Sequence, residues 1–194
     1  MKLRISYTLH FFWMCFFLIS GSNAFSQSKK EIKKLNIKSS EITVTEKSDG
    51  KEVRRKESFE KYDHDGNVIE EAEYNKDGTF KKKETHKYNK NDDVTEEVVY
   101  NEKGQIVKKT VVVYNDNNDK KEETVFDGNG KITELVKYSY NANGEKTSEL
   151  ITDAGGKVIR KSLYSYDKNG LKTEKKTFNG ANELISSKKY TYGY

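Results

Sequence analysis

The amino-acid sequence predicts an all-β protein: an antiparallel meander of about twelve strands, drawn out as an extended single-layer sheet or open β-spiral. Three observations carry this. From Tyr62 onward one short motif recurs: an aromatic, Asn or Asp, two variable residues, then Gly. Its spacings alternate between 12 and 14, so the repeating unit is a tandem β-hairpin of 26 residues. The seven to nine residues between turns are rich in Thr, Val, Ile, Lys and Glu, which suits strands and is short for helices. The count of Pro 0 agrees, because proline cannot donate to a strand ladder.

The chain opens with Lys2 and Arg4, an apolar block at 11–20 (FFWMCFFLIS), and small or polar residues at 21–28. These parts describe a secretory signal peptide over residues 1–26, with cleavage expected after Ala24 or Ser26. The block is too short to span a bilayer, so no integral membrane segment is expected in the mature chain. The one cysteine, Cys15, falls inside the leader. A disulfide scaffold, a cysteine nucleophile and a thiolate metal site are therefore excluded from the mature chain. Removal of Lys2 and Arg4 leaves 34 basic residues against 31 acidic ones, a formal charge of +3. Lysines alternate with glutamates and form no basic face, so no nucleic-acid partner is expected.

Residues 27–40 (QSKKEIKKLNIKSS from Gln27) read as a polar, lysine-rich lead-in, either disordered or a short frayed helix. The repeat domain is placed at 41–194, its first strand beginning near Glu41 and ending at a degenerate turn, Ser48-Asp49-Gly50.

The turns have a mechanical reading. Their second position is Asp63, Asn75, Asn89, Asn101, Asn115, Asp127, Asn141, Asp153, Asp167 and Asn179; the fifth is Gly, or Asp92, Asn118 and Asn182. Asx at i with a residue tolerant of the left-handed region at i+3 specifies a type I turn closed by a bulge. Asn141, Gly144, Asp167 and Gly170 are the clearest structural turn residues. In such a hairpin the aromatic stands opposite the second residue after Gly. The expected pairs are Tyr62–Val68, Tyr74–Phe80, Tyr88–Val94, Tyr100–Ile106, Tyr114–Lys120, Phe126–Ile132, Tyr140–Lys146, Thr152–Val158, Tyr166–Lys172 and Phe178–Leu184. The lysines of three pairs are expected to lay their stems on the facing ring.

Because 12 and 14 are both even, strict alternation puts every turn aromatic on one face. The other face is expected to be polar in the outer repeats and apolar in the middle, at Val99, Val107, Val111, Val125, Ile151, Ile159 and Leu163. Acids at Glu70-Glu71, Glu96-Glu97, Glu122-Glu123, Glu149 and Glu174 are expected opposite bases at Lys82-Lys83, Lys108-Lys109 and Arg160-Lys161. With neither face a continuous hydrophobic wall, a filled sandwich is disfavoured, and a closed barrel is the alternative.

The stretches Tyr138-Ser139-Tyr140-Asn141-Ala142-Asn143-Gly144 and Tyr164-Ser165-Tyr166-Asp167-Lys168-Asn169-Gly170 resemble the tyrosine–aspartate (YD) repeat of RHS-type bacterial surface and toxin proteins. The resemblance covers about residues 48–194, with both tyrosines present only in the last repeats. It implies a secreted or surface β-repeat shell and carries over no catalytic residue. A MORN-like hairpin array is a weaker second resemblance.

Candidate chemistry is sparse. His64 lies in a turn, and His86 occupies a strand position filled elsewhere by Val112, Tyr138, Tyr164 and Tyr190; neither has a metal-ligand spacing along the chain. Asp63-His64-Asp65-Gly66-Asn67 and Asn115-Asp116-Asn117-Asn118-Asp119 look like fragments of oxygen-ligand loops, but their Asx residues are explained by the turns. Repetition argues against a unique active site, so no enzyme, cofactor or metal is expected. The candidate ligand-binding surface is a pair of aromatic stripes: Tyr62, Tyr88, Tyr114, Tyr140 and Tyr166 on one edge, and Tyr74, Tyr100, Phe126 and Phe178 on the other. Rings at a fixed pitch of about 9.6 Å could stack on a repeating glycan or present a surface to a protein at the cell envelope. The plainer reading is that they cover their own turns. A second functional reading is an accessory or immunity-like protein that docks one partner through its sheet.

Overall fold

The computed structural model describes residues 28–48 and 50–193. The signal peptide at 1–26 lies outside the described residues. The described residues form one helix, α1 (Lys29–Leu35), and twelve strands: β1 (Ser39–Ser48), β2 (Lys51–Tyr62), β3 (Val68–Tyr74), β4 (Phe80–Tyr88), β5 (Val94–Tyr100), β6 (Ile106–Tyr114), β7 (Lys120–Asp127), β8 (Ile132–Tyr140), β9 (Lys146–Thr152), β10 (Val158–Tyr166), β11 (Lys172–Asn179) and β12 (Leu184–Lys189). The strands make one antiparallel sheet in sequence order, β1 to β12. The outer edges of β1 and β12 do not pair with each other, so the sheet is open and not a barrel.

The turn chemistry produces this order. Each turn closes with two backbone bonds, as at Asn141, where Gly144 donates to the Asn141 carbonyl and Asn141 to the Glu145 carbonyl. The Asx side chain adds two more: Asn141 Oδ1 accepts from the amides of Asn143 and Glu145, and Asp167 Oδ1 from those of Asn169 and Leu171. At Asn75 the arrangement differs, and Asp77 accepts from Thr79 instead. Asp92, Asn118 and Asn182 take positive φ, as the glycines do in the other turns. These residue types bear the left-handed region at the lowest cost after glycine.

All ten aromatic-position pairs expected from the turn type are present, from Tyr62 opposite Val68 to Phe178 opposite Leu184. Directly beyond each pair the register shifts by one residue. Tyr62 faces Val68 but Lys61 faces Glu70, leaving Ile69 unpaired; Tyr74 faces Phe80 but Glu73 faces Lys82, leaving Lys81 unpaired. A bulge of this kind puts two residues against one. It inverts the parity of everything after it, so the expectation that all turn aromatics share one face is incorrect. Tyr62, Tyr88, Tyr114, Tyr140 and Tyr166 lie on one face, hereafter the tyrosine face. Tyr74, Tyr100, Phe126 and Phe178 lie on the other.

The bulges also redistribute the apolar and charged residues. Val99, Val125 and Ile151 fall on the tyrosine face, Val111 and Leu163 on the opposite face, and Val107 and Ile159 are themselves bulge residues, both exposed. Most of the buried strand side chains are on the tyrosine face: Tyr62, Thr110, Val112, Val136, Ile151, Ser162 and Tyr164. None of the acids expected to face Lys82-Lys83, Lys108-Lys109 or Arg160-Lys161 does so: Glu71 faces Glu84, Glu97 faces Thr110, Lys108 faces Val99 and Arg160 faces Ile151, so the expected acid and base rows are not opposed in the register. Other charges meet directly or diagonally: Lys87 faces Glu96 and holds it at 2.8 Å, Glu122 faces Lys137, and Lys109 reaches Glu96 diagonally at 2.7 Å.

The lead-in is an ordered, capped helix. Ser28 and Glu31 form a capping box, and Asn36 closes the C-terminus in the left-handed region. Its buried Ile32, with ion pairs from Lys29 to Asp92 at 2.8 Å and Lys33 to Asp65 at 2.7 Å, seats it on the turns that follow β2 and β4. Gly66 permits this approach: a Cβ there would stand 2.7 Å from the Lys29 carbonyl. The first strand begins at Ser39, two residues before Glu41.

Candidate functional site

The tyrosine face is built from two tyrosine positions per repeat, and they do different things. The position at the turn is a staple. Tyr88 donates its hydroxyl proton to the Val68 carbonyl at 2.7 Å, Tyr114 to Val94 at 2.8 Å, Tyr140 to Lys120 at 2.8 Å, Tyr166 to Lys146 at 2.9 Å and Tyr192 to Lys172 at 2.8 Å. Each acceptor is the first residue of a strand and stands opposite the previous tyrosine of the stripe. Every hairpin is thereby tied to the one before it. Tyr62 begins the series and turns instead to Ser40 and Glu60.

The second position lies two residues earlier and is occupied by Tyr138, Tyr164 and Tyr190 in the last repeats. These rings alternate with lysines. The Lys146 ammonium sits 5.0 Å from the Tyr138 ring and 4.9 Å from the Tyr164 ring; Lys172 sits 5.2 Å from Tyr164 and 5.7 Å from Tyr190. Lys175 also lies 5.3 Å from Tyr164. Lys146 and Lys172 do contact rings, but those of this earlier position, where the expectation placed them on Tyr140 and Tyr166. The signal was present in the Tyr-x-Tyr-Asx spelling: residues i and i+2 on a strand share a face.

Burial of Tyr164 and Tyr138 pushes both phenols well above the usual tyrosine range, and the neighbouring carboxylates Glu149 and Glu123 add to it. The Tyr164 hydroxyl donates to Glu149 at 3.2 Å, and Lys146 reaches the same carboxylate at 3.3 Å. The C-terminal end of the tyrosine face, from β8 to Tyr190, is thus a strip of alternating rings and lysines.

The opposite stripe is separate. Tyr74 meets Phe80 edge to face at 6.2 Å, and Lys83 lies 4.5 Å over Tyr100. A shallow hollow of about 280 Å³ opens between successive turns on this face, lined by Ile106, Lys109, Phe126, Asp127, Gly128 and Gly130. The two stripes therefore cannot form one binding surface.

At the other end of the tyrosine face one row departs from the repeat. Glu60 faces Glu71, and Glu71 faces Glu84, across β2, β3 and β4. Burial, with Glu84 beside it, pushes the Glu71 carboxyl up to about 7. The turn fragments weighed as oxygen-ligand loops are engaged internally: Asp63 accepts from Asp65 and Asn67, while Asn115 accepts from Asn117 and Asp119.

No protein-family description matches the chain, and no curated protein matches it. Among solved structures, it is similar to a porin-like protein from Bacteroides uniformis (14% identity, TM-score 0.38, 80% of this chain and 56% of that one). It is also similar to a Bacteroides fragilis protein of unknown function (16% identity, TM-score 0.22, 81% and 96%). A third similarity is to the Tc holotoxin pore of Photorhabdus luminescens (10% identity, TM-score 0.28, 78% and 11%). The chain spans little more than half of the first of these and about a tenth of the third. What its own hairpins establish is a repeat-type β protein.

Proposed function

We propose that this chain is a secreted, non-catalytic β-repeat protein of the bacterial envelope or surface, a YD/RHS-type module that binds or scaffolds a glycan or protein ligand on its tyrosine face. The observation that carries the reading is the stapled stripe. At each 26-residue step from Tyr88 to Tyr166 the same half-buried ring recurs with its hydroxyl tied to a backbone carbonyl. A ring held in one rotamer loses little side-chain entropy on binding, which favours recognition by a rigid array. The leader-like residues 1–26 support export.

The test is a glycan array and an envelope pull-down with four variants, Tyr140→Phe, Tyr166→Phe, Tyr140→Ala and Tyr166→Ala. Phe keeps the ring and removes the staple, so it should bind the ligand more weakly; Ala should lose it while the far-ultraviolet spectrum of the sheet persists. Ligand held equally by the Ala variants counts against the stripe. The second reading, docking of one partner protein in an accessory or immunity-like role, is favoured by the open edges of β1 and β12, which offer unpaired backbone groups. A stable stoichiometric complex that survives both Ala variants would select it.

A further inference from the structure

We propose that Glu71, Glu84 and His86 form a site for a divalent transition-metal ion of the Zn²⁺ class on the tyrosine face. Their three ligand atoms, one from each side chain, all lie within 4.8 Å of one another, and all three side chains are half-buried. The topology assembles them. Glu84 and His86 are two residues apart on β4 and so project from the same face, and Glu71 stands directly opposite Glu84 on β3. Spacing along the chain alone does not reveal the set, since one ligand comes from the neighbouring strand.

The repeat supplies a comparison within the molecule. The acid at the Glu71 position recurs as Glu97, Glu123 and Glu149, and there it faces Thr110, Val136 and Ser162. Only in this hairpin does it face a second carboxylate. The His86 position is Val112, Tyr138 and Tyr164 in the same repeats. Two substitutions against the repeat, two residues apart on one strand, thus convert a lone carboxylate into two carboxylates and an imidazole. Like charges directly across a sheet are unfavourable unless something neutralises them. Lys82 does so in part, holding Glu84 and Glu73 at 3.1 Å each. A divalent ion bridging Glu71 and Glu84 neutralises both at once, and the imidazole selects a transition metal over Ca²⁺ or Mg²⁺, which take oxygen ligands. Three protein ligands leave a fourth position of a tetrahedral ion open to water or a ligand atom.

The test is titration of the purified full-length chain with Zn²⁺ by calorimetry, with imidazole nitrogen shifts followed by NMR. One equivalent should bind, and His86 should be the imidazole perturbed. Glu84→Gln and His86→Val, the latter restoring the residue of the Val112 repeat, should each weaken binding at least about tenfold. His64→Ala should leave it unchanged. Binding that both Glu84→Gln and His86→Val leave intact, perturbation confined to another histidine, Ca²⁺ bound as tightly as Zn²⁺, or no uptake at all overturns the proposal.

Discussion

The Tyr166 hydroxyl donates to the backbone carbonyl of Lys146, 20 residues earlier, at 2.9 Å. Lys146 stands opposite Tyr140, which reaches back in turn to Lys120. The stripe is therefore a chain of identical links, each fastening one hairpin to the last by a group that strand pairing leaves free.

Removing one link should cost little more than its hydrogen bond. Tyr166→Phe is expected to lower stability by about 1 kcal/mol. Tyr166→Ala should cost more, because the ring's packing goes with the hydroxyl. Urea denaturation of both variants checks this. Equal midpoints for Tyr166→Phe and the parent would show that the staple contributes nothing, and that the hydroxyl is equally well served by water.

The glycines separate two causes of strain. Gly104 has φ +71 and nothing within 4 Å of a built Cβ, so Gly104→Ala should cost only the left-handed penalty, about 1–2 kcal/mol. Gly104→Asn should cost a few tenths, as Asn118 and Asn182 already occupy that conformation. At Gly128 a Cβ would stand 2.1 Å from the Ile106 carbonyl oxygen. Gly128→Ala must therefore displace backbone and should destabilise more than Gly104→Ala. The order of three unfolding midpoints decides it.

Strand number, turn type and all ten aromatic-position pairs are legible in the spelling, because Asx and Gly at fixed offsets constrain the backbone directly. Which face each aromatic occupies is not, and the reason is physical. The bulge after each closing pair, at Ile69, Lys81 and their equivalents, has no residue type of its own; these positions hold Ile, Lys, Thr and Val. Counting 12 and 14 as even assumes an unbroken pleat, and one unpaired residue per hairpin reverses the answer. The same shift hides the Glu71–Glu84 opposition. The Tyr138–Lys146–Tyr164 sandwich is hidden differently: the register partner of Lys146 is Tyr140, but its long stem carries the ammonium to the rings two residues along.

Glu96 gives the pH dependence. Its hydrogen bond from Lys109, and then that from Lys87, holds the carboxyl below the usual glutamate range. A carboxylate with a depressed folded-state pKa contributes stability that is fully present above its unfolded value, near 4.3, and is lost as the pH falls through the folded one. Wild-type stability should therefore decline below about pH 4.3 more steeply than that of Glu96→Gln. Chemical denaturation at a series of acidic pH values reads the difference in slope; parallel curves would show the two lysines contribute no net charge stabilisation.

The lysine–tyrosine strip makes the last prediction, and a double-mutant cycle isolates it. Lys172 contacts Tyr164 and Tyr190, and Tyr164 contacts Lys146, Lys172 and Lys175, so single truncations mix several contacts. In the cycle Lys172→Met and Tyr164→Leu, Met retains the lysine's apolar stem and removes the ammonium, while Leu retains bulk and removes the ring face. The coupling energy then reports the cation over the ring, expected at about 1–2 kcal/mol for a half-buried lysine over a buried ring. Ring quadrupole attraction is short-ranged, whereas the ion pairs of this sheet are exposed and screened. The coupling should therefore persist when the cycle is repeated in high salt. A coupling that vanishes in salt would assign it to screened charge and not to the ring face, and a coupling of zero at low salt would leave the alternating strip as packing alone.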